Sequence, residues 1–65
     1  MVRATFKDRN ILEVMKVIAS RRLVISETID HQDGTMTVMI DTDNQDKEVR
    51  AELRAAKCFT TVRIK

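Results

Sequence analysis

The sequence predicts an α+β domain whose elements follow the order β-α-β-β-α-β. Three observations lead to this class: apolar and polar residues alternate near both ends, apolar residues recur at helical spacing in two internal segments, and an Asp-Gly pair lies between two strand-like runs. The chain has 65 residues, which is enough for one domain, and we expect residues 1–65 to form it.

A change of period predicts the first strand and the first helix. Residues 2–7 alternate apolar with polar side chains, as in a strand with one buried face. Apolar residues then recur every three or four positions, which predicts a helix over residues 9–21. Asn10 followed by Glu13 resembles a capping box, and Asp8 is the alternative N-cap.

The middle of the chain has the pattern of a β-hairpin. β-Branched residues within 23–30 favour a strand, although Glu27 interrupts the alternation, which an edge strand or a β-bulge would accommodate. Residues 31–34 read His-Gln-Asp-Gly, a turn sequence in which Asp-Gly supplies the residue that tolerates positive φ. Residues 35–41 then alternate cleanly and predict the partner strand.

A second helix and a fourth strand complete the predicted order. Asp43 is the expected N-cap, and acidic residues in the first turn with basic residues in the last complement the helix dipole. Val49, Leu53 and Ala56 form the inward face of this helix. Residues 58–65 return to a period of two and predict the last strand.

With both helices on one face of an antiparallel four-stranded sheet, this order is the ferredoxin-like arrangement. Right-handed crossovers put strands 1 and 3 in the centre, strand 4 beside strand 1 and strand 2 beside strand 3, so the predicted sheet order is 4-1-3-2. RNA-recognition domains share the element order but stack bases on aromatic residues of strands 1 and 3. Predicted strand 3 has no aromatic residue, and the sequence assigns no family.

Charge is distributed unevenly along the chain. Residues 1–26, 27–46 and 47–65 carry formal net charges of +4, −6 and +4 within an overall charge of +2. The two basic segments supply predicted strands 1 and 4, which are neighbours, while the acidic segment supplies the hairpin at the opposite edge. We therefore expect a domain that is polarised across its strands.

The candidate binding surface is the sheet face that the helices leave open. If Val2, Ala4 and Phe6 face the helices, the alternating residues of the terminal strands lie on the other face. Strand 3 would contribute two threonines and Met39 there. Cations on this face neutralise phosphates and an aromatic ring stacks a base, as binding of single-stranded nucleic acid requires. The predicted contact residues are Arg3, Thr5, Lys7, Phe59, Thr61, Arg63 and Lys65.

A second basic stripe follows the predicted second helix. Arg50, Arg54 and Lys57 are spaced to share one helix face. Arg50 can instead pair with Asp46, so a solvated helix face is the alternative interpretation. The basic residues on the strands have an alternative as well, because exposed lysine and arginine also block edge pairing and keep small domains soluble.

The sequence predicts neither catalysis nor a metal or cofactor site. Residues 41–52 resemble a calcium loop at three ligand positions, but they lack the glycine that its turn needs. His31 between two aspartates predicts a solvated turn, and Cys58, the only cysteine, is expected to be a small buried residue. A lone cysteine, with no secretory signal or membrane span, predicts a reducing, cytoplasmic setting.

We therefore expect a small non-catalytic binding or regulatory module that contacts single-stranded nucleic acid, RNA or a nucleoprotein. The alternative is a protein-interaction module, such as a small regulator or inhibitor that docks by its sheet face, an edge strand or the acidic hairpin. Self-association into a homodimer belongs to this alternative. We expect no membrane contact and no small-molecule substrate.

Overall fold

The computed structural model describes residues 1–64, and these residues form four strands and two α-helices. The predicted α+β class is thereby confirmed. A short 3-10 turn, Asp8–Asn10, precedes the first helix. The elements in chain order are β1 (Val2–Lys7), α1 (Ile11–Ser20), β2 (Val24–Asp30), β3 (Thr35–Asp41), α2 (Asp46–Ala55) and β4 (Thr61–Ile64).

The four strands form one antiparallel sheet in the order β2-β3-β1-β4. Read from the β4 edge, this order is 4-1-3-2. Strand β1 pairs along its whole length with β3, and on its other side Val2 to Thr5 pair with residues of β4. The two basic terminal segments therefore lie side by side, as the predicted strand order requires.

The core lies between one face of the sheet and both helices. Phe6, Val14 and Leu53 are fully buried in it and come from β1, α1 and α2 respectively. Burying these apolar side chains against one sheet face leaves the opposite face without a covering layer. The buried cluster consists of Val2, Ala4, Phe6, Val14, Ile18, Val38, Ile40, Val49, Leu53, Cys58 and Val62.

The central hairpin has the predicted features. The pairing of β2 with β3 shifts register between Ile25 and Glu27, which is the irregularity that the broken alternation indicates. In the turn, Gly34 has φ of 91° and Gln32 has φ of 58°. The Asp33 carboxylate accepts hydrogen bonds from the hydroxyl and the backbone N–H of Thr35, and these two bonds lower the pKa of Asp33.

The start of α1 differs from the prediction. Its N-cap is Asn10, but the Asn10 side chain makes no capping bond and instead donates to the carbonyl of Cys58 at 3.4 Å. The predicted capping box with Glu13 does not form, because the 3-10 turn at residues 8–10 gives Asn10 a near-helical backbone rather than the extended conformation of a capping residue.

The start of α2 also differs, since Asp43 is not its N-cap. Asp43 and Asn44 both have positive φ, 46° and 71°, and reverse the chain after β3. The helix begins at Asp46, whose Oδ1 accepts a hydrogen bond from the hydroxyl of Thr42. Because Asp43 and Asn44 form a tight turn in the left-handed conformation, the helix begins after this turn and not directly after Asp43. Within residues 1–64 neither helix has the length and apolarity to cross a membrane.

Leu53→Ala should destabilise the domain strongly, because Leu53 is 0% exposed between α2 and the sheet. We expect a loss of about 2 to 5 kcal/mol in the free energy of unfolding. Leu12→Ala is the matched control: Leu12 lies in α1 but is 76% exposed, and its truncation should change stability by less than about 0.5 kcal/mol. Urea denaturation followed by far-UV circular dichroism measures both variants, and equal effects would contradict this placement of the core.

Asp33→Asn should lower the melting temperature at pH 7, because the asparagine lacks the charge that the Thr35 bonds stabilise. The folded chain holds the proton of Asp33 less tightly than the unfolded chain, since the pKa of Asp33 is lowered from 3.8. The carboxylate therefore contributes to the free energy of unfolding at neutral pH, and this contribution is lost as the pH falls below 3.8. Thermal melts at pH 7 and near pH 3 should show the difference shrinking, and a constant difference would refute the assignment.

Candidate functional site

The open face is crossed by two rows of side chains that the strand register defines. In the first row Arg3 lies between Arg63 of β4 and Met39 of β3, and Glu27 of β2 follows. We call this the arginine row. The second, the threonine row, runs across the same strands in the order Thr61, Thr5, Thr37 and Ile29.

Arg3 and Arg63 are directly opposite each other on β1 and β4, and both are exposed. Side chains at such positions have Cβ atoms about 5 Å apart, and like charges there repel. The ion pairs within residues 1–64 join Asp46 to the N-terminal ammonium and Arg21 to Glu52. Neither guanidinium on the open face therefore has an acidic partner in the described part of the chain, and a bound anion would relieve their repulsion.

A chain of hydrogen bonds runs along the threonine row. The hydroxyls of Thr5 and Thr37 are 2.8 Å apart, and His31 Nε2 lies 2.7 Å from the Thr37 hydroxyl. Thr37 is only 1% exposed, so its hydroxyl depends on these two neighbours. His31 is thus bound to the open face rather than only solvated in its turn.

His31 is the functional candidate that the sequence interpretation missed. The turn composition of residues 31–34 obscured it, because a histidine flanked by aspartates is ordinary turn chemistry. The alternation of β2 contained the signal: Glu27 and Ile29 lie opposite open-face residues of β3. Continuing that period by two residues assigns His31 to the open face as well.

The two rows enclose a shallow cleft of about 320 Å³. Its lining combines the two guanidinium groups, the imidazole and three hydroxyls, and none of the lining residues that the structure describes carries a carboxylate. Such a lining offers hydrogen-bond donors of positive or neutral charge, which suits an anion. Of the residues predicted from the sequence, Arg3, Thr5, Thr61 and Arg63 are brought together here; the full lining is Arg3, Thr5, His31, Thr37, Thr61 and Arg63.

Phe59 does not lie in a strand on the open face, contrary to prediction. Lys57 has φ of 60° and the last strand starts only at Thr61, so the intervening segment passes from α2 to the sheet. The half-buried Phe59 ring packs against the core and meets Phe6 edge to face, with ring centroids 6.1 Å apart. This packing explains the difference, because the ring gains apolar contacts that the polar open face does not offer.

Lys7 is exposed at the end of β1, where its register partner on β3 is Thr35. It extends the basic surface beyond the threonine row by one more pair of residues on the same face. Lys65, also predicted to contribute, lies outside the described residues.

The basic residues of α2 have separate surroundings. Arg54 Nη2 donates to the carbonyl of Val62 at 3.1 Å and so covers part of the β4 edge. With Arg63 it also borders a groove of about 330 Å³ along that edge. Arg50 is half-buried, and no ion pair joins it to Asp46, which holds the N-terminal ammonium at 2.7 Å instead.

Cys58 is 7% exposed, and burial raises the pKa of its thiol. A buried thiol of raised pKa is a weak nucleophile, in line with the core role expected from the sequence. Across residues 1–64 no group of three histidine, cysteine or acidic side chains has the geometry to hold a metal ion.

Comparison of the chain with protein families, with characterised proteins and with solved structures gave no match.

Proposed function

We propose that this protein is a non-catalytic binding module with a ferredoxin-like fold, which holds the phosphates of single-stranded nucleic acid on its open sheet face. The observation that carries the proposal is the facing pair Arg3 and Arg63, which have no acidic partner within residues 1–64. The free cysteine is compatible with the cytoplasmic setting that forms part of the proposal.

Phosphate recognition suits the groups on this face. Guanidinium presents a planar fork of N–H donors that matches two phosphate oxygens, and hydroxyls such as that of Thr61 add neutral donors beside it. Lys7 supplies a further cation along β1. These contacts bind the sugar-phosphate backbone and carry little information about base sequence.

Base stacking should contribute less to binding than the sequence suggested. Phe59 packs against Phe6 and the core, so its ring is not offered flat to a base on the open face. The imidazole of His31 is the ring that borders the cleft, and histidine is among the side chains on which bases stack. Affinity should therefore come mainly from charge.

A protein partner is the second candidate function, and the β2 edge favours it. β2 has seven residues and, among the strands of residues 1–64, pairs with β3 alone; Val24 at its start is 63% exposed. An exposed edge strand accepts a strand from another chain, including a second copy. Sedimentation velocity at two protein concentrations tests this candidate, since a concentration-independent monomer would remove the homodimer from consideration.

Binding of a labelled oligothymidylate should weaken steeply with salt. If Arg3, Lys7 and Arg63 each neutralise one phosphate, the logarithm of affinity should fall with the logarithm of salt with a slope of about −2. Between about 50 and about 200 mM salt the affinity should drop about twentyfold. Fluorescence anisotropy measures it, and the absence of binding at the lower salt concentration would overturn the proposed function.

Arg63→Glu should weaken oligothymidylate binding about tenfold at low salt, because it places a carboxylate opposite Arg3. Lys16→Glu is the matched control, since Lys16 is exposed on α1, in the layer behind the sheet, and the substitution changes the net charge equally. Anisotropy titrations should leave the control near wild type. Equal losses in both variants would indicate a response to net charge alone and would contradict a localised site.

A further inference from the structure

We propose that the cleft between Arg3 and Arg63 recognises a phosphate monoester at the end of a single-stranded nucleic acid. The inference rests on the proposed function and specifies the chemical group that the site prefers. It assigns the six cleft-lining residues to one terminal phosphate, whereas the surrounding cation Lys7 serves the adjoining backbone.

The charge of the cleft matches a monoester better than a backbone diester. A terminal phosphate carries a charge of about −1.5 to −2 at neutral pH, whereas a backbone phosphodiester carries a single charge. Two guanidinium groups converge here from directly opposite positions, Arg3 and Arg63. A group of nearly double charge offsets the repulsion of both arginines at once and offers an additional oxygen to the hydroxyls beside them.

The hydrogen-bond chain allows a direction of donation that ends in the cleft. If His31 Nε2 carries a proton and donates to Thr37, the single proton of Thr37 passes to Thr5. The proton of Thr5 is then free to point into the cleft, so Thr5 becomes a donor toward the ligand. Successive bonds in such a chain strengthen one another, and an anion in the cleft selects this direction.

The small extent of the positive surface favours binding of the end of a nucleic-acid strand over binding of its middle. Residues 27–46, which include the last four residues of β2 and all of β3, contain six acidic side chains and no lysine or arginine. In the arginine row Glu27 lies one strand beyond Met39, so a backbone crossing the sheet would meet a carboxylate. In the arginine row the cations lie on β1 and β4, about one inter-strand spacing of 4.8 Å apart, a separation that a single phosphate can bridge.

The test compares one oligothymidylate in three forms: with a 5′-phosphate, with a 3′-phosphate, and with hydroxyls at both ends. Anisotropy titrations at pH 7.5 and low salt, with the label placed internally, measure each affinity. At least one phosphorylated form should bind about tenfold more tightly than the form without a terminal phosphate. Equal binding of all three forms would overturn the inference and leave the proposed function standing, whereas binding of none would overturn both.

Two single-residue variants distinguish binding in the cleft from general electrostatic attraction to the basic surface. Thr61→Val removes a hydroxyl that lines the cleft, and His31→Ala breaks the hydrogen-bond chain; both positions are exposed, so folding should persist. Each should reduce the affinity for the phosphorylated form by a larger factor than the affinity for the unphosphorylated form, so that the preference for the phosphorylated end falls. Thr60→Val is the matched control, because Thr60 does not line the cleft, and it should keep the full preference.

A preference that survives in both Thr61→Val and His31→Ala would overturn the assignment to this cleft. A phosphoserine peptide and its unphosphorylated form serve as a further comparison. If the protein prefers the phosphopeptide and shows no preference among the oligonucleotides, the ligand is a phosphorylated protein and the assignment to nucleic-acid ends is wrong.

Discussion

The central position of β1 is the constraint on which both the core and the candidate site depend. Val2, Ala4 and Phe6 are 0% exposed on the helix side, so the residues between them must lie on the other face. Because β1 is paired on both sides, its open-face residues meet partners from β3 and β4. The same alternation that buries Phe6 therefore brings Arg3 opposite Arg63. A one-residue slip of β1 would disrupt the core and disperse the cations together.

Sequence periodicity was sufficient where one face of an element is buried and the pattern is long. It predicted the element order, the hairpin turn at Gly34 and an edge strand or bulge at Glu27, where the structure has a register shift in an edge strand. It was insufficient at the ends of elements, because the residue at which a helix or strand begins depends on backbone conformation rather than on burial. Asp43 has the composition of a helix cap but lies in a left-handed turn, and nothing in its side-chain chemistry distinguishes the two states.

The candidate site could be predicted where its residues lie within paired strands, and not where they lie beyond the strand ends. Arg3, Thr5, Thr61 and Arg63 follow directly from alternation in paired strands. The position of Phe59 could not be predicted in this way, because β4 begins only at Thr61 and side chains before the strand do not follow its alternation. His31 follows from continuing the alternation of β2 past Ile29, but the turn composition around it favoured solvation, and its bond to Thr37 is visible only in the folded chain.

The two edges of the sheet are protected to different degrees. The β4 edge is four residues long and Arg54 occupies one of its carbonyls, whereas the β2 edge is longer and has a bulge as its irregularity. A strand from a second copy would therefore add at β2, the edge opposite β4 and Arg63. Dimerisation there would add to the edge of the sheet rather than to its open face, and would display the two clefts on one continuous eight-stranded surface. A ligand with two suitable groups would then gain affinity through avidity, without any new contact.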